Sequence, residues 1–149
     1  DIDWQEYNKH FYALTPERMF WTEAEDYAKS IGGHLVTIND ADEENWLIGT
    51  FSNTQLWIGL YQKPESPEPA GGWEWISGEP VTYTHWRRGE PNDNFGAGGE
   101  DWANMGHFGY GWNDISVTNY PGIVESPIPE PSTIGLLGLG AIALYKRKK

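Results

Sequence analysis

The sequence contains no cysteine. That absence removes disulfides, thiolate metal ligands, iron–sulfur clusters and cysteine nucleophiles together, and it leaves the redox compartment unspecified. Cations are also scarce, with ten Lys or Arg against twenty-two Asp or Glu and a formal net charge of −12. So acidic a surface repels phosphate backbones, which argues against nucleic acid as a partner. Four of the ten cations are Lys146, Arg147, Lys148 and Lys149, so an acidic body carries a basic tip. The opening Asp1-Ile2-Asp3-Trp4 has neither an initiator Met nor a basic region followed by an apolar run, as a processed or trimmed product would. No heptad repeat announces an oligomer.

What is present suits one domain. Within 149 residues, nine Trp, eight Tyr and five Phe supply bulky apolar area, and a chain of this size buries about two-thirds of its unfolded surface. Eighteen Gly and ten Pro indicate a loop-rich fold, while the even spread of aromatics indicates order.

Residues 7 to 14 are rich in β-formers and read as a first strand ending at Thr15-Pro16. Thr22 and Glu25 have capping-box spacing, acids fill the first turn, and Gly32-Gly33 supplies a stop, so a helix is predicted over 22–31. A strand over 34–38 follows, then a second acidic-headed helix capped by Asn39 or Asp40 and reaching Phe51, with Trp46, Leu47 and Phe51 on its apolar stripe. Leu56 to Leu60 and Trp73 to Trp75 read as short strands around a Pro and Gly loop. From Gly78 to Gly111 periodicity is lost; a loop of that length is uncommon in a compact domain and tends to carry function.

That window gathers oxygen donors: Glu90, Asn92, Asp93, Glu100 and Asp101, followed by Asn113 and Asp114. Crowding anions costs electrostatic energy unless a cation offsets it, and an all-oxygen set of carboxylates and carboxamides suits a hard ion such as calcium. The alternative is a set of solvated loop acids in a chain already rich in them. His85 and His107 are too isolated to indicate zinc and read as packed or solvated.

The order of motifs resembles the C-type lectin-like domain over about residues 5 to 125. The resemblance is carried by Trp21-Thr22-Glu23-Ala24, Gly32-Gly33-His34-Leu35, Trp57-Ile58-Gly59-Leu60, Trp73-Glu74-Trp75, Trp86, Glu90-Pro91-Asn92, Glu100-Asp101, Trp112-Asn113-Asp114 and Ile123-Val124-Glu125. It implies an α+β fold in which two helices flank small antiparallel sheets and a long loop region binds calcium. Trp57, Trp73 and Trp75 read as core residues rather than ligands. The resemblance further implies that Glu90, Asn92, Glu100, Asn113 and Asp114 form the principal calcium site, that Glu90, Asn92, Glu100 and Asn113 also bond two sugar hydroxyls, and that Pro91 is cis. Calcium accepts up to about eight oxygens, so protein and sugar can share it. The Glu-Pro-Asn order implies equatorial 3- and 4-hydroxyls, as in mannose, glucose, N-acetylglucosamine or, by equivalent geometry, fucose.

Three departures from the family stand out. The resemblance places two disulfides where this chain has Ala28 with Val124 and Trp102 with Val117, so apolar contact is expected to replace both crosslinks. An auxiliary calcium site would use Asp93 and Asp101, yet Tyr61-Gln62-Lys63 stands where a further acid is expected. The Asn94 to Gly99 stretch is Gly-rich and longer than usual.

A boundary is expected at 125/126, dividing a carbohydrate-binding domain (1–125) from a tail (126–149). The tail has a Pro-rich spacer, an apolar run from Ile134 to Tyr145 that is short for a span of about twenty residues, and the basic tip. It resembles the exosortase-type sorting signal of certain bacteria through Pro129-Glu130-Pro131, which implies export, a place at the envelope or outside it, and transient membrane association. The leading expectation is thus a calcium-dependent carbohydrate-binding module without catalysis. Its rival is the same fold binding protein or a surface without calcium. A glycosidase using Glu90 and Glu100 is disfavoured, because calcium ligands must stay ionised while a general acid needs a raised pKa.

Overall fold

The computed structural model describes residues 1–51, 54–95, 99–106 and 110–128. In chain order the elements are β1 (Gln5–Tyr7), β2 (His10–Leu14), α1 (Trp21–Ser30), β3 (His34–Leu35), α2 (Ala41–Phe51), β4 (Leu56–Gln62), β5 (Trp73–Trp75), β6 (Trp102–Met105), β7 (Trp112–Ile115) and β8 (Ile123–Ser126). They form two four-stranded antiparallel sheets, ordered β1-β2-β8-β3 and β5-β4-β6-β7. With the two helices this is the α+β architecture read from the sequence.

The strand expected over 7–14 is a hairpin. Asn8 and Lys9 take φ of 49° and 69°, the left-handed pair that a two-residue turn needs to match strand twist, and Tyr7 pairs with His10 across it. Helix α1 is capped by a different acid from the one expected. Glu23 accepts the Phe20 N–H at 3.0 Å, while Glu25 is buried, accepts the Leu35 N–H at 2.9 Å and lies 2.7 Å from His34 Nδ1. Its tertiary partners take Glu25 away from the local cap. Helix α2 starts as read: Asp40 Oδ1 accepts the Glu43 N–H at 2.8 Å, and the Glu43 carboxylate accepts the Asn39 N–H at 2.8 Å.

The strand expected over 34–38 shortens to His34–Leu35 because the next residue turns to join the sheets. Val36 donates its N–H to Ile123 O at 2.9 Å and accepts the Gly59 N–H at 2.8 Å. Gly59 permits this approach, since a Cβ there would stand 2.4 Å from Leu35 O. Between the sheets lies the main core, including Val36, Ile38, Leu47, Leu56, Ile58, Leu60, Trp75, Met105, Trp112 and Ile123. Trp57 is also fully buried, and Trp73 packs half-buried on the core, as their motifs implied.

Ala28 and Val124 meet with Ile31 in a small cluster and are both fully buried, so apolar packing does stand where the first bridge was implied. The second expectation fails. Trp102 packs partly buried against Trp21, Leu35 and Trp57, but Val117 is 69% exposed. Ile115, the register partner of Trp102, joins that cluster instead, because Val117 lies past the end of β7. The expected loop over 78–111 also contains an element, β6, which sits between β4 and β7. At the far end β8 runs one residue past the expected boundary: Ser126 is buried, and its hydroxyl donates to Gly32 O at 3.0 Å. Among the described residues no helix is long and apolar enough to cross a membrane. The 134–145 run, the basic tip and His107 lie outside the described residues.

Candidate functional site

The sheet β5-β4-β6-β7 carries the site on its β7 edge, and the segment after β5 is tied to that edge by backbone. Trp112 N–H donates to His85 O at 2.6 Å, and Arg87 N–H donates to Trp112 O at 2.8 Å. Beneath, the Trp112 ring packs edge-on to Trp75, Tyr83 and Trp86 at centroid distances of 5.6, 5.8 and 5.9 Å. The loop is thereby seated on aromatics, and Glu90 arrives beside Asn113 and Asp114. The Glu90–Pro91 peptide is cis, as the resemblance implied.

All five expected ligands are joined to at least one other, directly or through one residue. Asp114 Oδ2 accepts the N–H groups of Asn92 at 2.9 Å and Asp93 at 2.8 Å. Glu100 Oε2 accepts the Asn94 N–H at 2.9 Å, and Asp93 Oδ1 accepts the Glu100 N–H at 3.1 Å. Arg87 Nη2 donates to Glu90 Oε1 at 3.0 Å and to Asn113 Oδ1 at 3.2 Å. The strand end, the tripeptide and the following acid therefore form one assembly.

Two carboxylate oxygens in this assembly, Glu90 Oε2 and Asp114 Oδ1, are buried with no N–H or hydroxyl donor, and the two carboxyl groups lie within hydrogen-bonding reach of each other. An unpaired buried anion is costly. Burial raises Asp114 to about 6; the Asp93 and Asn92 amides oppose the rise, and Glu90 and Glu100 add to it. Burial likewise raises Glu100, against the Asn94 amide and with Glu90 and Asp93. Donor-free anionic oxygens among mutually repelling acids fit a hard cation. Among the described residues no three Asp, Glu or His side chains could hold an ion by themselves. Asn92 and Asn113 would have to complete the shell.

The auxiliary pair lies alongside. Burial raises Asp101, and the charges of Glu68 and, to a lesser degree, Asp93 add to the rise. Glu68, in the Pro and Gly loop, is thus an acid near Asp101 that the sequence reading did not single out. Two further residues escaped the sequence reading. Arg87 had no motif to mark it. Glu44, buried in α2, accepts hydrogen bonds from Tyr83 OH and from Trp112 Nε1 at 2.7 Å, and lies 2.8 Å from His85 Nδ1. His85 is accordingly a partner of Glu44, in keeping with a packed rather than metal-binding role.

The model of the lectin C-type domain matches residues 17–121. The chain belongs to the C-type lectin domain family. A PEP-CTERM protein-sorting motif matches residues 127–149 of this lectin. A perlucin-like protein of Mytilus galloprovincialis is 30% identical over 122 residues, covering 75% of this chain and 72% of that protein. Five longer mammalian C-type lectin relatives are matched over 16% to 38% of their own length. The human scavenger receptor C-type lectin carbohydrate-recognition domain superposes with TM-score 0.73 at 27% identity, over 83% of this chain and 95% of that one. The cow carbohydrate-recognition domain of CD23, solved in the presence of a GlcNAc2Man3 oligosaccharide, gives 0.69 at 25% identity over 82% of this chain and 91% of that one. The fold is shared as well by a calcium-independent type II antifreeze protein, with TM-score 0.70 at 24% identity, over 83% of this chain and 90% of that one.

Proposed function

We propose that this lectin domain binds carbohydrate through calcium held by Glu90, Asn92, Glu100, Asn113 and Asp114. The observation that carries the reading is the pair of buried carboxylate oxygens on Glu90 and Asp114 that no N–H or hydroxyl donor meets. When bound, the ion would offset the charge of the three acids and present open coordination positions to sugar hydroxyls. The chain's own groups supply direction. Glu90, Asn92, Glu100 and Asn113 alternate acceptors and amide donors, so a vicinal pair of equatorial hydroxyls can give one hydrogen bond and take one at each oxygen. That pattern suits the 3- and 4-hydroxyls of mannose, glucose or N-acetylglucosamine, and fucose by equivalent geometry. Galactose, with an axial 4-hydroxyl, forfeits bonds in a partly desolvated site. The domain needs no catalytic residue for this. The sorting motif at 127–149 supports a place in the bacterial envelope or outside it, reached by export, with the tail meeting the membrane only in passing.

The second reading is calcium-independent binding of a protein or surface. Arg87 favours it, because its guanidinium already neutralises Glu90 and bonds Asn113. A glycan array run with millimolar calcium and again with chelator decides between the two. Mannose-type binding that chelator abolishes supports the first, and glycan binding indifferent to chelator, or none at all, refutes it.

A further inference from the structure

We propose that the hollow beside Asn113 is a second saccharide subsite selecting an anionic unit, a hexuronate linked to the sugar held at Glu90 and Asn92. The inference rests on the carbohydrate-binding reading above, since the two sites share Asn113 and Arg87.

The hollow, about 230 Å³, is lined by Arg87, Asn113, Gln55, Asn104 and Tyr110 together with two glycines. In a chain of net charge −12 its lining, among the described residues, has one cation and no carboxylate. Arg87 spends one nitrogen, Nη2, on both Glu90 and Asn113. That anchorage fixes the guanidinium and leaves donors at Nε and Nη1, which point to different sides and can each give one hydrogen bond to an anionic unit. At the floor stands Asn104, 1% exposed, whose Oδ1 has no hydrogen-bond partner. A buried acceptor left unpaired is unfavourable, and a hydroxyl of a second sugar ring would supply the missing donor. Tyr110, 68% exposed, stands on the lining as well. Gly111 keeps the wall thin: at its φ of 92°, a Cβ would come within 2.8 Å of His85 O and 2.9 Å of Arg87 N. A neutral second sugar would satisfy Asn104 but leave the guanidinium to water, so the charge on the ligand is what the hollow discriminates.

The test is calorimetric titration of the full domain in calcium with three probes: methyl mannoside, a neutral mannose-containing disaccharide, and the same disaccharide with its second ring oxidised to the uronate. The uronate is expected to bind about tenfold tighter than the neutral disaccharide at low ionic strength, with the advantage shrinking as salt rises. Arg87→Gln should bring that ratio close to one. Because Arg87 also touches Glu90, a second variant avoids the primary site: Gln55→Glu, which adds an anion to the hollow, should cut the ratio at least threefold while methyl mannoside binding stays as in the wild type. A ratio near one in the wild type, with methyl mannoside still bound through calcium, overturns the subsite alone. So does a ratio unchanged in both variants. Failure of the wild type to bind methyl mannoside in calcium overturns the primary reading and the subsite with it. A sulfated disaccharide serves as the charge control: equal preference for sulfate shows that charge, rather than the shape of a carboxylate, is selected, and overturns the uronate assignment.

Discussion

Trp112 Nε1 donates a 2.7 Å hydrogen bond to Glu44 Oε1 across sixty-eight residues of sequence. The other oxygen of Glu44 takes Tyr83 OH and lies against His85 Nδ1, so one buried carboxylate on α2 holds β7 and the incoming loop in register. Glu44→Ala strands an indole N–H and a phenol in the core, and each such loss costs about 1–3 kcal/mol. Total destabilisation on the order of 3 kcal/mol is expected in urea unfolding, with weakened calcium binding because Asn113 and Asp114 follow Trp112 directly. An unchanged midpoint would show that the contacts carry no weight.

Calcium should stabilise the domain. Extracellular modules hold this ion with dissociation constants on the order of 10⁻⁴ to 10⁻³ M, and at ten to thirty times that constant linkage contributes about 1.4 to 2 kcal/mol. A rise in Tm with millimolar calcium, absent with chelator and in Asp114→Asn, is the expected result. A Tm indifferent to calcium in the wild type would exclude the site.

The pH dependence has a definite sign. Burial lifts Asp114 from an ordinary 3.8 to about 6 without the ion, so the neutral carboxyl is the form the fold favours. Its contribution to stability is present below the unfolded value and is lost as pH rises through about 6. Calcium needs the ionised form, so its affinity should fall as pH drops below about 6. Thermal melts with chelator and calcium titrations, each between pH 4 and 8, should therefore trend in opposite directions. Parallel trends would contradict the assignment.

Trp102 and Val117 should behave unlike a bridge pair. Trp102 packs into the Trp21, Leu35 and Trp57 cluster, so Trp102→Ala should cost about 3 kcal/mol. Val117 is 69% exposed, and Val117→Ser should change stability by less than about 0.5 kcal/mol. Chemical denaturation of the two variants distinguishes this from a buried contact, which would make both substitutions costly.

Exchanging amide and acid in the tripeptide, Glu90→Gln with Asn92→Asp, keeps the charge of the site and reverses its donor and acceptor order. The double variant is expected to retain calcium and to shift from mannose toward galactose. Competition elution from immobilised mannose, with calcium throughout, measures it; equal displacement of the wild-type domain by both sugars would count against the assignment.

Sequence alone determined what short-range chemistry controls. The Ala28–Val124 packing was implied only by the resemblance, whereas the α2 cap at Asn39 or Asp40 and the buried Trp57 and Trp75 were readable, because caps are local and large apolar residues have few places to go. So was the family, since its motifs recur in order along the chain. Tertiary structure decided which side chains meet. Glu25 had the spacing to cap α1, and the position of Leu35 and His34 removed it from that role. Val117 looked apolar enough for the core, yet β7 ends before it and Ile115 takes the place beside Trp102. Glu44 and Glu68 lacked any local signature because their neighbours lie on other elements, and Arg87, three residues from Glu90, reaches Asn113 only when the loop closes against β7. A sequence displays its periodicity and turn chemistry directly, whereas contacts between distant charged side chains depend on how every intervening element packs.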